Sequence, residues 1–211
     1  EMETFRNRTA AGKTLAKTIL TNKYSNPTIV AIPQGGVVVA RELAKHFSLP
    51  LSVCIVAKIP FCFDRRFGIG ALDCTGTVRL NHDLIVALAL EETDVAWGIE
   101  EARRTLAARL AVLQRFAVLP DVTQSTVLLV DDGLATGYTA LTAVRYLELF
   151  RPARIVVAAP VACTAAVDVL RGVGVGVIVP WLVKTVPFLV DDHYTDFSEI
   201  TPHDVLKFFE L

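Results

Sequence analysis

Five short apolar runs, each handing over to a stretch of helical periodicity, constrain this chain most. They read "TIVAIP", "LSVCIVAKI", "TVLLV", "RIVVAAPVA" and "GVGVIVP", at residues 28–33, 51–59, 126–130, 154–162 and 174–180. A strand with one wet face alternates apolar and polar residues, whereas a near-continuous apolar run is a strand covered on both faces. Interleaved with helices, these runs predict an α/β fold: a five-stranded parallel sheet with helices on both faces. Right-handed crossovers place every strand's C-terminal end on one edge, where ligands of such sheets bind.

Helical spacing is expected at residues 8–20, 37–47, 84–116 and 139–150. A further helix at 164–172 is expected to close on Gly172, and a last one over 202–211 has Pro202 near its start. Between the second run and the long helical stretch lies an irregular basic segment, "PFCFDRRFGIGALD", with a hairpin expected to continue through "TGTVRLN". No repeat, low-complexity tract or linker interrupts the 211 residues, so one domain is expected, with a core at about 24–180 and a hood from about 1–23 and 181–211.

Charge excludes some function classes. Twenty-one basic residues against 22 acidic ones leave no excess for a nucleic-acid or anionic-membrane surface. The longest apolar stretches are broken by Pro and Gly and are too short to span a bilayer. With no apolar leader at the start, a cytoplasmic location is expected. Cys54, Cys62, Cys74 and Cys163 form no C-x-x-C pair and read as free thiols or small buried hydrophobes. The "DDH" at residues 191–193 reads as a solvated loop ahead of a metal site.

Chemistry concentrates in "VDDGLATGYT", after the third run. In residues 135–139, Gly137 can take positive φ, so that successive backbone N–H groups point into one concavity. The helix that follows adds the positive end of its dipole, and Thr136 and Thr139 add hydroxyls. That suits a phosphate monoester, although an ordinary N-cap at Thr139 uses the same residues. Asp131 and Asp132, directly before the loop, repel one another unless engaged. Vicinal hydroxyls suit them, as does Mg²⁺ held partly through water. A sugar phosphate offers hydroxyls and phosphate together, so the pair reads a ribose and the loop its 5-phosphate.

Asp-Asp-Gly-x-Ala-Thr-Gly-x-Thr after an apolar strand resembles the phosphoribosyl-pyrophosphate (PRPP) signature of type I phosphoribosyltransferases. The wider pattern, including "RNRTAAGKTLA", "AIPQGGVVVARELA" and "VPFLVDDHYTDFSEITPHDV", is similar to a bacterial group of predicted phosphoribosyltransferases of unsettled substrate. The resemblance implies transfer of a phosphoribosyl group from PRPP to an acceptor, a nucleobase in most relatives, with release of pyrophosphate and with Mg²⁺ as cofactor. Homodimers are common in the superfamily. A non-catalytic PRPP- or nucleotide-binding module, or ribose-5-phosphate chemistry, are the competing readings.

By the same resemblance, Ala135, Thr136, Gly137, Tyr138 and Thr139 bind the 5-phosphate. Pro33, Gln34, Gly35 and Gly36 form the pyrophosphate loop, with a cis peptide expected at Gln34–Gly35. Asp131 and Asp132 carry the ribose and the metal. Lys58, Arg65 and Arg66 supply cations, the two arginines on a mobile loop with Gly68 and Gly70 as flexible points. Trp181, Phe188 and Tyr194 form a stacking hood over the acceptor. Relatives usually have arginine where this chain has Gln34, and another before the lysine, where it has Ala57, so two cations are missing. The arginines of "EEARRTLAARL" read as an ordinary helix face that needs no ligand.

Overall fold

The computed structural model describes residues 4–184 and 187–209. Parts of the expected hood and last helix, residues 1–3, 185, 186, 210 and 211, lie outside the described residues. Helix α1 (Arg8–Thr18) leads to β1 (Thr28–Ala31), α2 (Gly35–Phe47), β2 (Leu51–Val53) and β3 (Val56–Pro60). A hairpin of β4 (Gly68–Asp73) and β5 (Val78–Leu80) follows, then α3 (His82–Ala87) and the long α4 (Glu92–Leu113). The second half runs β6 (Thr126–Val130), α5 (Tyr138–Leu147), β7 (Arg154–Ala158), β8 (Val161–Cys163), α6 (Thr164–Gly172), β9 (Gly176–Ile178), β10 (Trp181–Val183) and α7 (Pro202–Leu206).

The main sheet is five-stranded and wholly parallel, in the order β2-β1-β6-β7-β9. Successive side chains of a strand point to opposite faces, and the core divides accordingly. Val30, Val127, Leu129 and Val157 pack with Ala140, Val144 and Leu147 of α5 and with Leu170 of α6. Ile29, Leu128, Val130 and Val156 pack on the other side with Leu15 of α1, Leu43 of α2 and Leu106 of α4. Both faces are dry, which is why these strands carry no polar alternation.

Two expected strands are each two shorter ones. The apolar run 51–59 divides at Cys54: β2 belongs to the main sheet, while β3 leaves it and pairs antiparallel with β4. Because β3 is at least as buried as β2, hydrophobicity carries no mark of the change of sheet. The run 154–162 divides before Pro160, and β8 pairs in parallel with β10 in a small second sheet. The stretch 84–116 breaks at Ala89, which has φ of +49°. It restarts at Glu91, whose N–H donates to Asp94 Oδ2 at 3.0 Å in a capping box. Helix α6 does run to Gly172, but the left-handed residue after it is Gly174, at φ of +80°.

The termini meet beside the main sheet. Phe5 N–H donates to His193 O at 2.9 Å and Thr195 N–H to Phe5 O at 2.8 Å. The Phe5 ring stacks on Trp181, 3.6 Å between centroids. Phe5 is 4% exposed, so it is a buried rivet between the N-terminal segment and the chain after β10. Truncating a buried aromatic costs about 3–5 kcal/mol. Phe5→Ala is therefore expected to lower the unfolding free energy by about that much in urea titrations, whereas truncating the exposed Leu182 stays within about 0.5 kcal/mol.

Candidate active site

The C-terminal ends of β1 and β6 open onto a cavity of about 530 Å³. It is bordered by the loop after β6, the start of α2, the β3–β4 segment, one residue of α4 and the chain near residue 190. This is the edge that parallel topology assigns to ligands.

Asp131 and Asp132 stand at the end of β6 and both border the cavity. Asp131 N–H donates to Ala158 O at 3.1 Å, which holds the strand end in the sheet. The two carboxylates are treated differently. Asp132 Oδ2 accepts from Arg8 Nε at 2.7 Å, an ion pair in which both side chains are largely buried. Arg8 in turn donates through Nη1 to Ser198 O at 2.9 Å and lies 3.6 Å over the ring of Phe197. Among the described residues, Asp131 has only the neighbouring Asp132 N–H, at 2.9 Å, on its Oδ1. Burial and the adjacent Asp132 charge push the Asp131 carboxyl well above the usual carboxylate range, and Arg109 offsets this only in part.

The phosphate-loop geometry follows from Gly137, at φ of +80° directly before α5. A side chain there would sit 2.8 Å from Ala166 O, so the position demands glycine for conformation and for space. Ala135, Thr136, Gly137 and Thr139 border the cavity. Tyr138 begins α5 without doing so, and the N-cap is Gly137, not Thr139.

Pro33, Gln34 and Gly35 border the cavity from the start of α2, with Gly36 buried behind them. A cis peptide is present, at Pro33–Gln34 rather than at Gln34–Gly35. At Gly35 a Cβ would collide with the Asp132 carboxylate and fall 2.7 Å from Arg8 Nε. Glycine is what lets this turn approach the acidic pair.

Lys58 and the two loop arginines also reach the cavity. Lys58 Nζ donates to Arg66 O at 2.8 Å, and burial together with the Arg109 charge lowers its pKa. Arg65 pairs with Glu101 at 2.7 Å beside Trp97, and Arg66 pairs with Asp64 at 2.7 Å. Gly68 and Gly70 lie in β4, where the pairing with β3 shifts register opposite Ile59 and Pro60, and not in the loop itself. The Lys58 stem lies against Gly68 and the Arg79 carbonyl against Gly70, and both need the missing side chain.

The hood aromatics are placed otherwise than expected, because each is consumed in packing. Trp181 stacks on Phe5, Phe188 on His193 with 4.8 Å between centroids, and Tyr194 donates its hydroxyl to Asp132 O at 2.5 Å. None of the three borders the cavity; the aromatic that does is Phe197. His193 is buried, so "DDH" is a short 3₁₀ turn and not a solvated loop, although Asp191 does border the cavity.

Two arginines at the site escape a reading of the sequence. Arg8 sits in the first turn of α1, where the helix dipole disfavours a cation; that misplacement is the available signal. Arg109 falls among the arginines of "EEARRTLAARL". Arg103 and Arg104 do pair on the surface with Glu100 and Glu101, but Arg109 points inward. Gly98, Ala102, Leu106 and Leu113 form the buried stripe of α4, and position 109 continues it.

A parallel sheet in this order, with an acidic pair and an anion loop at the end of its central strand, defines the core of a type I phosphoribosyltransferase. The chain matches the phosphoribosyl transferase domain over residues 1–192 and belongs to that family. TT1426 from Thermus thermophilus shares the architecture at a TM-score of 0.72 and 30% identity, covering 97% of each chain. AQ2163 from Aquifex aeolicus, at 0.52 and 12% identity over 83% of this chain and 74% of that one, shares the fold alone. The Mycobacterium tuberculosis H37Rv protein named "Putative phosphoribosyl transferase Rv0571c" is 26% identical over 209 residues, 99% of this chain and 47% of that protein. The chain thus spans about half the length of the curated relatives it matches. Among the described residues, no helix is long and apolar enough to cross a membrane.

The raised Asp131 carboxyl has a signed consequence for stability. The native state holds that proton more tightly than the unfolded chain does. The group's contribution is therefore fully present below the usual carboxylate range and is lost as the pH rises through the elevated native value. Asp131→Asn keeps an oxygen for the Asp132 N–H and removes the buried charge. Its melting temperature is expected to exceed that of the unaltered protein at about pH 8, with the gain shrinking toward about pH 4. A variant equal or less stable at the higher pH overturns the assignment.

Proposed function

We propose that this protein transfers the 5-phosphoribosyl group of PRPP to a nitrogen acceptor, a nucleobase, with release of pyrophosphate. The observation that carries the reading is that one cavity joins an anion loop to a pair of carboxylates at the same strand end. Each binds a different part of one molecule, so their charges do not conflict.

The backbone N–H groups of residues 135–139 and the Thr136 and Thr139 hydroxyls take the 5-phosphate. Asp131 and Asp132 accept hydrogen bonds from the ribose hydroxyls, which requires Asp131 to be ionised and Arg8 to share Asp132. The Gln34–Gly36 turn and Lys58 face the pyrophosphate. As the acceptor nitrogen bonds to C1, the bond from C1 to the pyrophosphate oxygen breaks. The two aspartates then lie near the positive charge developing on the sugar, and Lys58 near the negative charge on the leaving group. Positioning and preorganised charge do this work without a covalent nucleophile. Phe197 and Val190 also border the cavity and offer apolar surface to a base.

Among the described residues, no cluster of three or more His, Cys, Asp or Glu side chains could cage a metal. The donor set fits Mg²⁺ carried in on the phosphates and reached by Asp131 and Asp132 through water, the usual manner of a hard cation that keeps part of its hydration. Held by those two residues, the ion would supply charge neutralisation for the pyrophosphate.

Calorimetry with PRPP and Mg²⁺, paired with a pyrophosphate-release assay across a panel of bases, tests the proposal. Asp131→Asn is expected to weaken PRPP binding by about 10–100-fold, the worth of hydrogen bonds to a charged acceptor. Undiminished binding removes the ribose assignment. Tight binding with no release for any acceptor replaces the transferase with a PRPP-sensing module.

A further inference from the structure

Arg109 is a half-buried cation that, among the described residues, has no carboxylate partner, whereas the other three arginines at the site are paired. Arg8 is matched with Asp132, Arg65 with Glu101 and Arg66 with Asp64. Arg109 donates through Nη1 to the backbone carbonyl of Val56 on β3, and its buried Nε has no hydrogen-bond partner among the described residues. The side chain borders the cavity together with Lys58 and Gln34.

Leaving a guanidinium in such a place is destabilising. An isolated charge removed from water loses its hydration, and an unmet donor loses a hydrogen bond as well. Burial lowers the Arg109 pKa to about 10, with Asp131 and Asp132 opposing that shift. Lys58 feels Arg109 as a like charge that lowers its own pKa. Two cations thus repel one another across one wall of an open cavity. Among the described residues neither forms an ion pair, and Lys58 is bonded to the Arg66 carbonyl. On a core-facing helix stripe otherwise made of Gly98, Ala102, Leu106 and Leu113, an apolar residue would pack without this penalty. A dianionic or trianionic ligand resolves both the repulsion and the unmet donor, and a guanidinium can offer it two parallel N–H groups.

We propose that Arg109 is a diphosphate-binding residue, which with Lys58 holds the leaving group of the phosphoribosyl donor. The inference rests on the phosphoribosyltransferase reading of the cavity. It places on helix α4 a positive charge that the Gln34 turn does not contribute.

The test compares the unaltered protein with Arg109→Met and Arg109→Lys, using inorganic pyrophosphate, PRPP and ribose 5-phosphate as separate probes, each with Mg²⁺. Arg109→Met is expected to lose about 10–100-fold in affinity for pyrophosphate and PRPP. Its affinity for ribose 5-phosphate should stay within about twofold and its melting temperature should not fall, since a buried unpaired charge has gone. Arg109→Lys recovers part of the pyrophosphate affinity. Unchanged pyrophosphate binding, or an equal loss for all three probes, overturns the assignment. If Arg109→Met does not fold, the Nε–H resonance of Arg109 in the unaltered protein decides. A shift with pyrophosphate but not with ribose 5-phosphate supports the site, and insensitivity to pyrophosphate sinks it. An unaltered protein that binds pyrophosphate but neither PRPP nor ribose 5-phosphate removes the transferase reading and leaves the diphosphate site standing.

Discussion

Two adjacent carboxylates at the end of a buried strand are the constraint around which this molecule is arranged. Asp131 and Asp132 stand at the end of β6, the central strand of a sheet dry on both faces, and both are partly withdrawn from bulk water. The fold resolves half of the problem. Arg8 comes from the first turn of α1 to pair with Asp132, and Ser198 O and the Phe197 ring hold the guanidinium in place. The Tyr194 hydroxyl fixes the Asp132 carbonyl. Both ends of the chain are thereby tied to the site, and the pairing of Phe5 with residues 193–195 serves the same purpose. Asp131 is left unresolved, with its proton held more tightly than normal.

The cavity is accordingly polarised. Its acidic side lies at the end of β6, and its basic side lies where Lys58 of β3 and Arg109 of α4 come together. The phosphoribosyl donor proposed above, with hydroxyls in its middle, a monophosphate at one end and a diphosphate at the other, would complement all three regions. Phosphate or ribose alone satisfies only part of the charge. The fixed cations stand on a strand and a long helix, so their field does not depend on loop closure.

Much of this is legible in the residues themselves. Continuous apolar runs with helices between them imply a parallel sheet, and "DDGLATGYT" after the third run puts an acidic pair and a glycine loop at its edge. The failures have physical causes. A run such as 51–59 is apolar throughout because β2 and β3 are both buried, so composition cannot show that one strand leaves the sheet at Cys54. Trp181, Phe188 and Tyr194 look available to a base because an aromatic's partners are tertiary; Phe5, nearly the whole chain away, takes one of them. Arg109 resembles its surface neighbours because three consecutive turns of α4 carry charge, and only the four-residue stripe from Gly98 through Ala102 and Leu106 separates it from Arg103 and Arg104.

The loop arginines carry the opposite lesson. Arg65 and Arg66 reach the cavity but are held by Glu101 and Asp64 in exposed pairs. Pairs of that kind are worth about 0–1 kcal/mol, so a multiply charged ligand can draw either arginine away at little cost. Lys58 and Arg109 have no such alternative: both stand on regular elements, and among the described residues neither has a carboxylate partner. The charge that discriminates a diphosphate from water must come from groups that cannot relax to another partner when the site is empty. By that criterion the diphosphate contacts proposed above fall to Lys58 on the strand and Arg109 on the helix ahead of the loop arginines.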